Sequence, residues 1–123
     1  MANPFVHVEL HTSDLAKARQ FYTSLFGWKL RDVPMPAGGA TYTMIDVGEG
    51  TGGGMMVNPA PGTPSHWMAY VAVDDIEAST KKARELGATV LADVTEVASF
   101  GWMSVIADPT GATIAMWKPK NPQ

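Results

Sequence analysis

The sequence contains no cysteine, which excludes disulfides, thiolate nucleophiles and cysteine-ligated metal centres together. Any metal would have to be held by His, Asp or Glu. Long apolar runs are also missing: the longest, Trp67 to Val73, is far below membrane-spanning length. Met1 to Leu10 shows no basic segment followed by an apolar stretch, so a cytoplasmic location without membrane attachment is expected. Charged residues are sparse at 17%, with a formal net charge of -3. Lys17, Arg19, Lys81, Lys82 and Arg84 are interleaved with polar and acidic positions, so there is no electrostatic footprint for nucleic acid.

Hydrophobic residues make up 46% of the 123 positions, the balance of a chain that folds, at the size of one ordinary domain. Any internal duplication must therefore share one fold. Phe5 to His11 alternates strictly, with Val6, Val8 and Leu10 on one face and Phe5, His7, Glu9 and His11 on the other, which reads as a strand. Ser13 or Asp14 can cap a following helix whose apolar stripe is Leu15, Ala18, Tyr22, Leu25 and Phe26, ended by Gly27. Trp28 to Val33 reads as a strand, Pro34 to Gly39 as a loop, and Tyr42 to Val47 and Met55 to Asn58 as two more strands. The glycine-rich Gly50 to Gly54 reads as a hairpin rather than a phosphate loop, because no Lys-Ser/Thr and no helix follow it.

A proline-rich linker over 59–64 then separates module one, about 4–58, from module two, about 65–118. In module two, Trp67, Ala69, Val71 and Val73 alternate against His66, Met68, Tyr70 and Ala72. Asp74 and Glu77 form a capping-box-like pair ahead of Ile76, Ser79, Thr80, Ala83 and Leu86, and Gly87 stops the helix. Thr89 to Ala92, Trp102 to Ile106 and Thr113 to Trp117 supply three strands, with Asp108 to Gly111 as a turn. Asp14-Leu15 recurs as Asp75-Ile76, Leu25 as Leu86 and Gly27 as Gly87, so βαβββ occurs twice.

Certain residues carry a family likeness. His7-x-Glu9-Leu10-x-Thr12-x-Asp14-Leu15, then Ala18, Phe21-Tyr22 and Leu25-Phe26-Gly27-Trp28, resemble the opening strand and helix of the vicinal oxygen chelate superfamily. Val73 to Ile76, Leu86 to Ala88, Asp108 to Ala112 and Trp117 resemble its second module. This superfamily includes glyoxalases, bleomycin-resistance proteins and extradiol dioxygenases. The resemblance implies an α+β fold in which two tandem βαβββ modules form a U-shaped, partly open mixed sheet around a cleft, with helices outside. It also implies a homodimer.

Superfamily members with metal chemistry carry one ligand on each of four strands, typically His or Glu. By resemblance these positions fall on His7, on Met55 or Met56, on Met68 and on Ala115. Only His7 suits a hard divalent ion, so no cofactor and no family metal site are expected. A different set, His7, Glu9 and His66, remains as an atypical metal site.

His7 and Glu9 are the candidate catalytic pair, since an alternating strand puts both on one face; an ordinary half-solvated polar face would look the same. His11, near the strand end, is expected at the rim. His66, Met68 and Tyr70 are the candidate ligand-binding residues of the second module, with Met56, Trp102 and Phe100 as apolar and aromatic lining. Two readings follow. One is a protein that binds a small organic metabolite or antibiotic; the other is a lyase, isomerase or dioxygenase using Glu9 or His7 as base.

Overall fold

The computed structural model describes residues 2–34, 41–59 and 62–120. The predicted loop over 34–39 and most of the linker's centre, residues 60 and 61, fall outside or at the edge of these. The chain divides into two compact units: His7–Met68, and Ala69–Gln123 together with Met1–Val6.

The elements follow the sequence reading in order and kind. They are β1 (Phe5–Thr12), α1 (Leu15–Phe26), β2 (Lys29–Pro34), β3 (Thr41–Asp46) and β4 (Gly53–Val57). Then come β5 (His66–Ala72), α2 (Ile76–Glu85), β6 (Thr89–Val97), β7 (Gly101–Ala107) and β8 (Thr113–Pro119). Strand order is β2-β3-β4-β1 in the first module and β5-β8-β7-β6 in the second. In each, the last strand lies parallel beside the first and the other pairings are antiparallel, so the repeat extends to topology. The fold is α+β with mixed sheets, as expected.

In the unit His7–Met68, the sheet face turned to α1 carries Leu10, Ile45 and Met55, all buried, packed with Leu15, Ala18, Tyr22, Trp28 and Leu30. Fully burying a side chain such as Met55 contributes about 1.5–3 kcal/mol. Asp14 is the N-cap of α1, its carboxylate accepting from the Lys17 N–H at 3.0 Å. Gly27 ends the helix at φ 71, and its N–H closes on the Thr23 carbonyl. The predicted apolar stripe is too wide, however. Leu15, Ala18 and Tyr22 face the core, whereas Leu25 and Phe26 are exposed.

The second unit repeats this pattern with two differences. The N-cap of α2 is Asp75, whose carboxylate accepts from the Ala78 N–H, rather than Asp74. A side-chain oxygen reaches the third N–H after it, and from Asp75 that donor is Ala78, already inside the helix. The other difference is that β6 runs five residues beyond the predicted Ala92, through register shifts opposite β7 that break simple alternation. Beneath α2, Thr80 donates to the Ile76 carbonyl at 2.7 Å and lies 2.9 Å from the Ser104 hydroxyl, both side chains being fully buried. The N-terminal segment is tied to this unit by Asn3 and Pro4, which bond the Ala72 backbone.

Candidate functional site

The pairing register determines which side chains share a face. Glu9 sits opposite Gly54 and His11 opposite Met56 on the parallel β1–β4 pair, while Gly54 sits opposite Met44 on β3. His7, Glu9, His11, Tyr42, Met44 and Met56 therefore occupy the sheet face away from α1. Met55 falls on the other face, in the core.

Glu9 is the hub of a hydrogen-bonded group on this face. The Tyr42 hydroxyl donates to its Oε2 at 2.5 Å, and His11 Nε2 lies 2.6 Å from its Oε1. Tyr42 in turn lies 2.8 Å from His7 Nε2, and that imidazole is 4.0 Å from Glu9 Oε2. A phenol has one proton. If Tyr42 gives it to the carboxylate, then His7 Nε2 must carry the hydrogen it shares with the phenolic oxygen. By the same reasoning His11 donates to the carboxylate through Nε2–H. Glu9 and His11 are both buried, so each of these bonds acts in a low-dielectric setting where losing it is costly.

Burial pushes the His7 imidazole below its ordinary pKa of 6.5, and the Glu9 carboxylate partly opposes this. His7 is therefore neutral at pH 7. His66 joins through ring contact: its imidazole meets that of His11 edge-on at 5.0 Å, and its Nδ1 donates to the Pro64 carbonyl at 2.8 Å.

Two glycines make this arrangement possible. A Cβ on Gly53 would lie 1.9 Å from the Val8 carbonyl oxygen, so β4 can approach β1 only without one. A Cβ on Gly54 would lie 2.0 Å from the Tyr42 hydroxyl and 2.2 Å from its ring carbon Cζ. The Tyr42 ring thus crosses β4 directly over Gly54 to reach Glu9 and His7. The glycine run read as a hairpin ends inside β4 and provides this passage.

His7, Glu9 and His66 are thus gathered around two residues that the sequence reading passed over or misplaced. Tyr42 went unremarked because it opens a strand with nothing to mark its partner. His11, expected at the rim, is buried, beside Met56 on β4, bonded to Glu9 and edge-on to His66. Met56 lies beside His11, and Met68 is buried two positions along β5 from His66.

In the other unit, Tyr70 is buried opposite Ala115, with Trp117 edge-on at 6.4 Å and Met103 Sδ 4.0 Å from its hydroxyl. Trp102 lies on the opposite sheet face, the one that carries Ser104 toward α2, with the Lys118 and Lys120 ammonium groups over its ring. Phe100 is exposed in the β6–β7 turn.

The residues that the resemblance puts at the superfamily's metal positions offer one imidazole, thioethers and the methyl of Ala115. These do not fit a hard divalent ion. In the alternative set, Glu9 is bonded to Tyr42 and His11, and His66 faces His11 rather than Glu9. Among the described residues no three His, Asp or Glu side chains converge as a metal-binding group. A groove of about 420 Å³ lined by Ala16, Arg19, Gln20, Thr23 and Leu30 lies on the α1 side, and none of the Glu9 group lines it.

Sequence comparison finds CFP32 of Mycobacterium tuberculosis, a protein provisionally named a glyoxylase, 41% identical over 90% of this chain and 44% of its own length. The Streptomyces peucetius anthracycline biosynthesis protein DnrV is 32% identical over 89% of this chain and 45% of its own. The chain thus spans about half the length of these curated relatives. Among solved structures, a hypothetical protein of Bacillus halodurans superposes with a TM-score of 0.74 at 15% identity, covering 100% of this chain and 99% of that one. Methylmalonyl-CoA epimerase of M. tuberculosis gives 0.70 at 17%, covering 95% and 88%; both share the fold. No helix among the described residues is long and apolar enough to cross a membrane. The family model matching residues 5–116 then gives the assignment its name: the chain belongs to the glyoxalase/bleomycin resistance protein/dioxygenase superfamily.

Proposed function

We propose that the chain binds a small organic molecule over the polar face of β1 without the superfamily's metal ion. The observation that carries this reading is the Glu9 carboxylate, buried and held through both oxygens by Tyr42 and His11. A buried, pre-arranged group of this kind can orient a polar ligand at little entropic cost, with Met44 and Met56 as adaptable apolar neighbours. Ligands bearing hydroxyl or carbonyl groups on an apolar body suit such a surface. DnrV's association with anthracycline biosynthesis makes aromatic polyketides one class to include.

The test is a thermal-shift screen in the presence of chelator, against aromatic antibiotics, catechols and 2-oxoaldehyde hemithioacetals. A ligand at a hundred times its Kd should raise Tm by about 10 °C. The shift should disappear in Glu9→Gln and Tyr42→Phe. Shifts that arise only when a divalent metal is added would overturn the reading.

One observation favours catalysis at the same place. The Tyr42 hydroxyl joins Glu9 to a neutral His7, a path along which a proton can pass between base and acid. Product formation from a screened ligand, abolished by Glu9→Gln with binding retained, would select this second reading.

A further inference from the structure

The outer strand of the first sheet carries two cations that join no ion pair among the described residues. Lys29 and Arg31 on β2 are exposed, whereas Arg19, Arg84 and Lys120 each hold a carboxylate. Register aligns the pair with the Glu9 group. Arg31 sits opposite Met44, Met44 opposite Gly54, and Gly54 opposite Glu9, so the four form one row across β2, β3, β4 and β1. Three strand spacings, about 14 Å, separate the ends of this row. Lys29, two positions from Arg31, is on the same face opposite Asp46. A groove of about 500 Å³ lies at this end, with Lys29, Arg31, Met44, Asp46, Gly48 and Gly50 in its lining. No residue of α1 lines it, so it opens on the face away from that helix, the one that carries Glu9. Asp46 is the groove's one acid, and its carboxylate accepts from the Gly48 N–H at 2.9 Å. Glu49 follows in the turn and is not part of the lining. An edge strand can carry lysine merely to resist pairing with another chain. Gly27 recurs as Gly87, however, and the matching positions on β6, the edge of the second sheet, are Thr89 and Leu91. The βαβββ module therefore does not itself require these cations.

We propose that this groove takes an oxyanion, a carboxylate or a phosphate, at the far end of the ligand whose polar head lies over Glu9. The head's place rests on the reading above, and the oxyanion's on the groove itself. A guanidinium fork matches either group through paired hydrogen bonds, and the neighbouring ammonium adds charge without geometric demand. Met44 and the Tyr42 ring, which crosses Gly54, provide an apolar floor between the two ends. An acid placed over Glu9 would face a like charge, so only the far end of the row suits it. The ligand class is an elongated apolar body with a hydroxyl or carbonyl at one end and an acid at the other.

Three probes test this: a hydroxynaphthalene with an alkyl chain ending in a carboxylate, the same body ending in a phosphate monoester, and its neutral carboxamide. Titration calorimetry of the full chain should show at least one acid binding about tenfold more tightly than the carboxamide. The advantage should shrink as salt is raised. Whichever acid binds more tightly identifies the anion. Arg31→Gln and Lys29→Gln should each cut the advantage, and Lys81→Gln on α2 should preserve it. All three side chains are exposed, so the variants should melt as the wild type does. In amide NMR spectra the acid should shift the Gly48 and Gly50 signals further than the carboxamide does. An acid that binds Glu9→Gln as tightly as wild type, still through Arg31, would uphold the groove and remove the Glu9 reading instead. Equal affinity for acids and carboxamide, an advantage indifferent to both Arg31→Gln and Lys29→Gln, or no binding of any probe would each overturn the inference.

Discussion

Replacing Gly54 by alanine tests the geometry on which the site depends. The new methyl would stand 2.0 Å from the Tyr42 hydroxyl, 2.2 Å from Cζ and 2.4 Å from Cε2, so the ring must leave its place over β4. Two hydrogen bonds go with it, to Glu9 Oε2 and to His7 Nε2. A bond to a charged group contributes about 1.5–3 kcal/mol and a neutral one about 1 kcal/mol. Against this, an alanine in an unstrained strand position gains about 0.5 kcal/mol through the unfolded chain. The net cost is about 2–3.5 kcal/mol, a fall in Tm of about 10 °C for a domain of this size. The informative step is to repeat the substitution in a Tyr42→Ala background, where no ring stands above position 54. There Gly54→Ala should be neutral or slightly stabilising, giving a coupling energy of about 2–4 kcal/mol by denaturant melts. Equal costs in both backgrounds would refute the account of Tyr42 and its passage over Gly54.

Other outcomes follow from the same contacts. Gly53→Ala should prevent folding, because the group it strikes is the Val8 backbone carbonyl and no side-chain deletion can relieve it; a soluble, cooperatively melting variant would contradict this. His7, buried and held below 6.5, takes up its proton more readily when unfolded. Its contribution is fully present above pH 6.5 and is lost as pH falls through that value, levelling off below the folded pKa. Tm should therefore fall as pH is lowered through 6.5, and fall less in His7→Gln. An equal fall in the two proteins would remove His7 as the cause. Under α2, Thr80→Ala should cost about 2 kcal/mol and Ser104→Ala about 1 kcal/mol, since only the former strands a fully buried hydroxyl. The double variant should cost less than the sum, as read by urea denaturation.

Much of the fold could be read from local signals because alternation, caps and glycine stops are local properties. The alternation of Phe5 to His11 located the polar face, and the recurrence of Asp14-Leu15 as Asp75-Ile76 revealed the repeat. What escaped was what depends on pairing register. Tyr42 is a site residue only because Gly54 lies between it and Glu9, a relation set by three strands at once. His11 is buried and meets the His66 ring, which lies far along the chain on β5. Trp102, grouped with Tyr70 as ligand lining, faces the other way because Ser104, two positions on, is turned toward α2. Helical spacing likewise allowed Leu25 and Phe26 into the core stripe, although of the helix residues only Leu15, Ala18 and Tyr22 pack on the buried cluster.

The central claim, that this member of the superfamily works through the Glu9 group rather than a bound ion, is tested most directly by metal content. The protein should be purified without chelator, dialysed against Ni²⁺, Zn²⁺, Fe²⁺ and Mn²⁺ in turn, and measured by plasma mass spectrometry. The account predicts metal far below one equivalent per chain, and the same residual level in His7→Ala. One equivalent of a single metal, lost in His7→Ala, would contradict it.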